Sequence, residues 1–301
     1  MISIVIPLYN KEKQIANTLQ TVFNQTFQDF EIVITDDGST DNGVEEVKKI
    51  NDSRIRLIYQ ENQGVSAARN RGIAEAKCDY IAFLDADDEW KPEYLQTQYE
   101  LIQKQAECNV FVCNYELKNE KGKVTPTIIN NLPFEETEGV LSNYFEIASC
   151  SNPPLWTSAV LVKKEAIQSI GGFPVGVKAG EDLLTWARLA VKYNIAYNKT
   201  PLASFVLDNS TVKPRRNPAE KDVVGEQLKK LYQDYSHIKG LKQYVSLWHK
   251  MRASIYLRLN ERRKALKETL MALKYNVWNF KLYIYLFILF LPLRMRNRFF
   301  N

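Results

Sequence analysis

The sequence predicts an α/β fold in which a mostly parallel sheet is covered by helices. Short, continuous apolar runs alternate with amphipathic helical patterns through the first half of the chain. Such runs are typical of strands that are buried on both faces. The predicted strands are Ile2–Ile6, Glu31–Thr35, Ile55–Tyr59, Tyr80–Leu84 and Val110–Tyr115. The predicted helices between them are Lys13–Asn24, Gly43–Ile50, Ser66–Lys77 and Pro92–Gln105.

The second half predicts fewer strands and more helix. A polar loop is expected over Lys118–Gly139, a strand over Trp156–Lys163 with a short helix after it, and a helix over Glu181–Tyr193. The Pro-, Arg- and Asn-rich stretch Asn209–Pro218 is typical of a linker. We therefore expect one domain over residues 1–215 and a basic helical extension over residues 216–301. Tyr244–Asn276 within the extension predicts two antiparallel helices.

Composition excludes several classes of protein. With 301 residues, 45% of them hydrophobic and only 12 Gly and 11 Pro, the chain is neither collagen-like nor largely disordered. Its four cysteines form no C-x-x-C pair, which favours free thiols in a reducing compartment. The first segment lacks the basic region and apolar core of a secretory signal. A cytoplasmic location is the resulting expectation.

Charge is distributed unevenly along the chain. The net charge is +5, but the residues from Lys239 onward contain 14 Lys and Arg against 2 Asp and Glu. The remainder carries 26 basic and 33 acidic residues. Basic tails of this kind bind anionic surfaces, either lipid head groups or nucleic acid.

Two acidic turns follow predicted strands. The second strand leads into Asp36-Asp37-Gly38-Ser39-Thr40-Asp41, and the fourth leads into Asp85-Ala86-Asp87-Asp88. Ligands of parallel sheets bind beyond the carboxyl ends of the strands, so both turns are expected at one edge. The alternation of residues puts Asp85 and Asp87 on one side of an extended chain, so both can reach one ligand.

A hard divalent cation would remove the repulsion between the clustered carboxylates and still bind phosphate oxygens. Structural alternatives remain at both turns. The first would be an Asx turn that caps the next helix, and the second a solvated acidic turn.

A third acidic cluster, Gly180-Glu181-Asp182, lies at a predicted helix start. The only histidines, His237 and His249, are in the basic tail, so a general base near the turns would be Asp182 or Glu181. Acidic residues also suit a first helical turn for purely structural reasons. Arg69, on the third predicted helix, is placed to bind phosphate, to pair with the acidic turn, or to form a structural ion pair.

Five segments together resemble the family 2 inverting glycosyltransferases, which have the GT-A fold. They occur in the family's order over roughly residues 1–195, and the combination is far more specific than any one of them. The matching segments are Val5–Asn10, Asp36–Asp41, Asn62–Asn70, Phe83–Asp88 and Gly180–Asp182 with Trp186 and Arg188 after it.

The resemblance implies roles for individual residues. Pro7 and Tyr9 match the base pocket, and Asp37 matches the carboxylate that binds the base, with Asp36 beside it. Asp85 matches the ribose-side carboxylate of the D-x-D pair, and Asp87 the carboxylate that, together with Asp85, holds Mn²⁺ or Mg²⁺. Asp182 matches the general base, and Glu181 its neighbour at the acceptor. Arg69 matches the donor site more loosely.

The implied activity is transfer of a sugar from a nucleotide-sugar donor, with a UDP-sugar favoured, to a hydroxyl of a glycan or lipid-linked acceptor. The Q-x-x-R-W segment of processive members is absent from the sequence, so addition of one sugar per encounter is expected. Bacterial surface polysaccharide or lipooligosaccharide assembly is the family-level expectation. The acceptor surface is expected near the 118–139 loop and residues 152–157.

Other readings of the sequence differ in recognisable features. A nicotinamide dehydrogenase would carry G-x-G-x-x-G after the first strand, and a sugar nucleotidyltransferase a Gly-rich phosphate loop. Neither pattern is found. A non-catalytic nucleotide-sugar binding protein stays open as the alternative.

The end of the chain predicts contact with a membrane surface. Leu282–Leu293 is a run of twelve apolar residues followed by Arg294, Arg296 and Arg298. A helical span needs about 20 such residues, so a segment lying in the head-group region is favoured over a span. A core helix docked on the domain is the structural alternative. We expect a protein at the inner face of the cytoplasmic membrane and no nucleic-acid partner.

Overall fold

The chain forms two compact units. The computed structural model describes residues 1–119, 121–207 and 218–291. The first unit contains Met1–Ser142 and the segment that begins at Ser151. The second contains Asn143–Cys150 and the later helices. The predicted linker, apart from Pro218, lies outside the described residues.

The first unit contains all the strands of the described chain. The strands are β1 (Ile2–Leu8), β2 (Phe30–Asp36), β3 (Ile55–Tyr59), β4 (Tyr80–Phe83), β5 (Glu89–Trp90), β6 (Val110–Asn119), β7 (Val124–Pro126), β8 (Glu138–Val140), β9 (Val160–Lys163) and β10 (Ile195–Leu207). Its helices are α1 (Ile15–Phe23), α2 (Gly43–Lys48), α3 (Val65–Glu75), α4 (Tyr94–Lys104), α6 (Lys164–Ser169) and α7 (Glu181–Ala190). The second unit contains α5 (Tyr144–Cys150), α8 (Val223–Asp234), α9 (Leu241–Arg258), α10 (Arg262–Tyr275) and α11 (Phe280–Phe290).

The predicted α/β fold is confirmed. In the described residues the strand order is β3-β2-β1-β4-β9-β6-β10-β5, with β7 and β8 paired to β6 and β10. The first four strands in that order are parallel. β9 is antiparallel to both of its neighbours, so the complete sheet is mixed.

The main difference from the sequence prediction is β10. Its thirteen residues were not recognised as a strand because polar residues and Pro201 interrupt the apolar pattern. The pairing with β6 shifts register on both sides of Pro201, where the missing N–H breaks the ladder. The predicted strand Trp156–Lys163 is shorter than expected: Thr157–Ala159 form a 3₁₀ turn before β9. The predicted polar loop contains β7 and β8.

Both faces of β1 are covered, which explains its continuous apolar sequence. Ile4, Ile6 and Leu8 belong to a core shared with one face of α1. The α1 residues in that core are Ile15, Leu19 and Val22. On the other face α3 approaches Val5 through Gly72, where an added Cβ would lie 2.4 Å from Val5 Cγ1. Gly72 therefore sets the distance between α3 and the sheet.

We expect Gly72→Ala to destabilise the protein although Ala is the better helix former. Overpacking against the rigid Val5 side chain costs about 1–3 kcal/mol, whereas the helix propensity gain is at most about 1 kcal/mol. Urea unfolding should show the loss. Ala74→Gly, at an exposed position of α3, is the control and should report the propensity alone, about 0.5–1 kcal/mol. A Gly72→Ala protein more stable than the parent would contradict the close contact.

In the second unit α9 and α10 run antiparallel, as predicted. Ser246 donates to the carbonyl of Ala272, while Leu257, eleven residues later on α9, packs with Ala265 at the start of α10. The two helices are separated by residues 259–261.

A buried polar cluster lies between these helices. Glu268 is bonded to His249 Nδ1 at 2.6 Å and to Arg252 Nε at 2.9 Å, and Asp222 Oδ2 lies 3.5 Å from Arg252 Nε. Burial raises the pKa of Glu268, but hydrogen bonds from His249 and Arg252 outweigh it and hold the pKa below its ordinary value. The ligand atoms of Asp222, His249 and Glu268 lie within 4.8 Å of one another, a spacing that suits a metal ion. Arg252 already supplies the positive charge there.

One face of α11 is packed and the other is uncovered. Ile288 and Leu289 pack with Tyr256, Leu257 and Ala265. The opposite face is exposed and apolar; it consists of Phe280, Tyr283, Ile284, Phe287 and Phe290. Among the described residues no helix combines the length and apolar character needed to cross a bilayer. Residues 292–301, with the predicted arginines, lie outside the described residues.

Candidate functional site

The carboxyl ends of the parallel strands meet at one edge of the sheet. Leu8 at the end of β1 is paired with Asp36 at the end of β2, and Asp36 with Tyr59 at the end of β3. β4 ends at Phe83, beside Val5. The loops after these strands therefore start side by side.

The loop after β1 contacts both acidic turns. The amide of Asn10 donates to Ser39 Oγ at 3.1 Å, and the amide of Thr40 donates to Asn10 Oδ1 at 2.8 Å. The next residue, Lys11, forms an ion pair with Asp87. The structure thus brings the two turns together, as the sequence predicted from their positions after neighbouring strands.

Asp36 and Asp37 are buried and bonded within the loops. Asp36 Oδ1 accepts from the amide of Ser39 at 3.2 Å. This bond does not cap the next helix, the structural alternative for this turn; the amide of Gly43 at the start of α2 donates to Asp41 Oδ1 at 2.9 Å. Asp37 Oδ1 accepts from Gln60 Nε2 at 2.7 Å and from the amide of Gln63 at 2.9 Å. Its Oδ2 accepts from the amide of Gly64 at 2.8 Å. Asp37 therefore fixes the loop between β3 and α3.

Gly38 is required between these loops. Its φ of +72° lies in the left-handed region, and a Cβ there would approach the amide nitrogen of Asn62 to 3.1 Å. Both the backbone conformation and the close approach explain a glycine after the two aspartates.

Residues 85–88 form a turn and not the extended chain that the sequence analysis expected. The amide of Asp88 donates to the carbonyl of Asp85 at 3.0 Å. The hydroxyl of Thr18 bonds to the carbonyls of Ala86 and Asp88 at 3.0 and 2.9 Å, which holds the turn closed. As a result Asp85 and Asp87 contact different cations, Arg69 and Lys11.

Arg69 is the central cation of the site. Its side chain on α3 is only 4% exposed, with NH2 2.6 Å from Asp85 Oδ1 and NH1 3.8 Å from Glu181 Oε1. Its guanidinium carbon lies 5.0 Å from the ring centre of Phe173. Of the three roles left open by the sequence, the structure shows the pairing with the acidic turn.

Asn70 fixes the segment that precedes α7. Its side chain accepts from the amide of Phe173 and donates to the carbonyl of Phe173, both at 2.8 Å. Gly172, with a φ of +69°, has no room for a Cβ, which would lie 2.4 Å from Asn70 Oδ1. Two adjacent residues of α3 therefore contact this region: Arg69 lies beside Glu181, and Asn70 binds the segment before α7.

Glu181 and Asp182 begin α7 after Gly180, whose φ is +81°. Burial raises the pKa of both carboxyls; the charge of Asp182 raises that of Glu181 further, and Arg69 lowers both. Burial, together with the charge of Asp182, also raises the pKa of Tyr115 to about 12. The Tyr115 hydroxyl on β6 therefore belongs to the surroundings of Asp182.

Pro7 and Tyr9 lie at the end of β1 with the other loops. Pro7 is a β1 residue paired with Thr35, and Tyr9 follows the strand with its ring exposed. All nine residues singled out from the sequence belong to the first unit. Six of them lie in the loops after β1, β2 and β4 or at the start of α7; Pro7, Asp36 and Arg69 lie in β1, at the end of β2 and on α3.

Asp88 was not recognised as a site residue. It is fully buried, with Oδ2 accepting from Ser158 Oγ at 2.5 Å and from Trp156 Nε1 at 3.2 Å. Burial, followed by the charges of Asp85 and Asp87, raises its pKa well above the ordinary value. Its place in the acidic run was the available signal, but its partners are about seventy residues away. Lys11 was also missed; it follows Tyr9-Asn10 directly.

Sequence comparison assigns the family. The sequence profile described as glycosyl transferase family 2 matches residues 3–161. This range is more than half of the chain and contains both acidic turns and Arg69. The chain belongs to glycosyl transferase family 2.

Relatives of this family 2 protein differ in length. A Rickettsia felis protein named as an uncharacterized glycosyltransferase is 31% identical over 64% of this chain, but the match covers only 31% of that relative. The chain thus spans about a third of that protein. A Bacillus subtilis protein named as a teichuronic acid biosynthesis glycosyltransferase, TuaG, is 30% identical over 73% of this chain and 84% of its own.

Solved structures confirm the predicted GT-A-like fold. Residues 1–349 of TarS from S. aureus, crystallised with UDP-GlcNAc, superpose with a TM-score of 0.70 and 18% identity. The superposition covers 91% of this chain and 81% of the TarS chain.

The family resemblance implies a divalent cation, and the residues at the turn fit one. Asp85 and Asp87 each use one carboxylate oxygen for Arg69 or Lys11. Within the described chain, Asp85 Oδ2 and Asp87 Oδ1 have no hydrogen-bond partner. Partly exposed carboxylate oxygens are ligands that Mg²⁺ and Mn²⁺ accept.

We expect Arg69→Met to destabilise the protein strongly and in a pH-dependent way. Removing one partner of a buried ion pair costs about 3–5 kcal/mol. Without Arg69 the pKa values of Glu181 and Asp182 rise further in the folded state. A raised folded-state pKa contributes stability at low pH that is lost as the pH rises, so the loss should be larger near about pH 8 than near about pH 5. Urea unfolding at both pH values measures it.

Arg71→Met is the matched control. Arg71 lies on the same helix with half of its side chain exposed and pairs with Glu75 at 2.8 Å. Removing this surface pair should cost at most about 0.5 kcal/mol at either pH. Equal losses for the two variants would show that the Arg69 contacts are not buried ion pairs.

Proposed function

We propose that this chain transfers a sugar from a nucleoside-diphosphate sugar to a hydroxyl acceptor, with inversion and one sugar per encounter. One observation carries the proposal: buried Arg69 bonds to Asp85 of the acidic turn and also lies beside Glu181, next to Asp182. The turn that would bind the donor and the start of the helix that carries the proposed base therefore both contact the Arg69 guanidinium. The complex of TarS with UDP-GlcNAc supports a UDP-sugar as donor.

The nucleotide would bind at the loops after β1, β2 and β3. The exposed Tyr9 ring offers a surface on which a base can stack, and Pro7 lies beside it in β1. Asp37 Oδ2 has one donor, the Gly64 amide, and so retains a lone pair for an N–H of the base. Asp36 supports this side of the nucleotide site because its carboxylate accepts from the amide of Ser39 and so stabilises the turn.

The diphosphate would lie at the 85–88 turn. Asp87 and Asp85 would hold Mn²⁺ or Mg²⁺, which stabilises the negative charge that develops on the leaving diphosphate. Lys11 places a further positive charge beside Asp87. Asp88 is buried beneath the turn and positions it through hydrogen bonds from Ser158 and Trp156.

Asp182 would act as the general base. Its carboxylate takes the proton of the acceptor hydroxyl as that oxygen forms a bond to the anomeric carbon. The bond from the anomeric carbon to the phosphate oxygen breaks on the opposite side, and its electron pair leaves with the diphosphate, which inverts the centre. Burial raises the pKa of Asp182 and thereby its basicity. Trp156 is half-buried and stacks on the buried ring of Tyr115, with 5.6 Å between the ring centres, so its exposed part offers an aromatic surface for a sugar acceptor.

The proposed setting is the inner face of the cytoplasmic membrane, where a glycan or lipid-linked acceptor of bacterial surface polysaccharide would be extended. The name of the relative TuaG supports a surface polymer. The uncovered apolar face of α11 and the basic charge of the chain after Lys239 support contact with an anionic membrane.

We expect Asp182→Asn to keep donor binding and lose turnover. Loss of a general base lowers kcat by about 10²–10⁴. Isothermal titration with UDP and release of UDP from UDP-sugars measure the two properties. In the parent, turnover should rise with pH through an apparent pKa above the ordinary carboxyl value of about 4, since below it the base is protonated.

Asp79→Asn is the control, because Asp79 is an exposed aspartate after α3. Unchanged turnover in Asp182→Asn would show that Asp182 is not the general base. A parent protein that binds sugar nucleotides but turns over none of them would favour the non-catalytic binding alternative.

We expect Asp87→Ala to abolish metal-dependent stabilisation. A ligand that binds only the folded state at about 100 times its Kd stabilises by about 2.7 kcal/mol. UDP with Mn²⁺ should therefore raise the Tm of the parent by several degrees more than UDP alone. This increment should disappear in Asp87→Ala and persist in Asp79→Ala. Retention of the full increment by Asp87→Ala would show that the cation binds elsewhere.

A further inference from the structure

The helical unit contains a pocket that the proposed sugar transfer does not use; its lining is mixed, with polar side chains beside Leu247 and Cys150. It has a volume of about 240 Å³, more than the roughly 150 Å³ that accommodates benzene in an engineered cavity. Helix α5 contributes Glu146 and Ser149, α9 contributes Gln243 and Lys250, and the connection between α10 and α11 contributes Asn276 and Asn279. The pocket can therefore hold a small polar group.

Four of the side chains that line this pocket offer N–H groups with no protein partner among the described residues. In the described chain, the side-chain amides of Gln243, Asn276 and Asn279 form no hydrogen bond, and the half-buried ammonium of Lys250 has no carboxylate partner. The one lining carboxylate, Glu146, is paired with Lys239 at 3.0 Å. A half-buried cation surrounded by free amide donors suits an anion with several acceptor oxygens.

Lys281 on α11 does not line the pocket, but its charge acts on Lys250. Burial, and then the charge of Lys281 on α11, lower the pKa of Lys250.

The pocket adjoins the uncovered apolar surface. Trp278 lies between the two lining asparagines in sequence and is 81% exposed, and Phe280 follows Asn279. Phe287 and Phe290 continue the same exposed face of α11. Exposed aromatic side chains beside an anion site match the boundary of a bilayer, where head-group phosphates lie next to the acyl region.

We propose that this pocket binds the phosphate of an anionic membrane lipid while the apolar face of α11 enters the head-group region. The inference rests on the proposed membrane contact and names the lipid group that is bound. The Lys250 ammonium binds the phosphate, and the amides of Asn276, Asn279 and Gln243 bind its oxygens and the adjoining polar atoms.

Co-sedimentation of the full chain with vesicles tests the proposal. The vesicles contain phosphatidylcholine either alone or mixed with phosphatidylglycerol. Lys250→Ala should weaken binding to the phosphatidylglycerol vesicles by about tenfold or more, since a charge-assisted contact is lost. Lys230→Ala removes an equal charge from an exposed position of α8 and should change it by only about twofold. Lys250→Gln removes the charge but keeps a long polar side chain. An unchanged Tm for this variant would show that weaker binding does not result from loss of folding.

Phe287→Ser tests the membrane contact separately and should weaken binding to both kinds of vesicle. If it does so while Lys250→Ala and Lys250→Gln bind phosphatidylglycerol like the parent, the pocket proposal is wrong and the membrane contact stands. If neither change matters, both are wrong. A different outcome is that glycerol phosphate stabilises the parent but not Lys250→Ala, while both proteins bind vesicles equally. The pocket would then bind a soluble phosphate, and the proposal of a lipid ligand would be wrong.

Discussion

The site depends on one buried positive charge. Moving the Arg69 guanidinium out of water is costly, and the cost is offset by carboxylates that come from two distant segments, Asp85 after β4 and Glu181 at the start of α7. The pairing therefore forms only when both segments are in place. It joins the acidic turn to the helix that carries Asp182.

The charge balance around Arg69 also explains the proton affinities. Asp85, Glu181 and Asp182 all interact with this single cation, so the local charge is negative when the three carboxyls are ionised. Burial and mutual repulsion raise the pKa of Glu181 and Asp182, and Arg69 limits the rise. Such a site stabilises added positive charge and favours uptake of a proton, the two requirements of the proposed transfer.

The two units show different chemistry. The first carries carboxylates beside arginine and lysine at the edge of a sheet. The second is basic, and among its described residues an exposed aromatic face adjoins a pocket of unpaired donors. Binding to an anionic surface through the second unit would use charge and apolar area that the sugar-transfer site lacks.

The amino-acid sequence determined the α/β class, the strands β1–β4 and β6 and the helices between them, because continuous apolar runs and helical periodicity are local properties. It also determined the family, since the acidic turns, the Asn62–Asn70 segment and Gly180–Asp182 are contiguous motifs. Only the tertiary structure decided the partners of the charged groups: Arg69 with Asp85, Lys11 with Asp87, and Asp88 with Ser158. It alone showed β10, whose polar centre is compensated by pairing with β6, and the uncovered face of α11. These features depend on contacts between residues far apart in the chain, which no local pattern specifies.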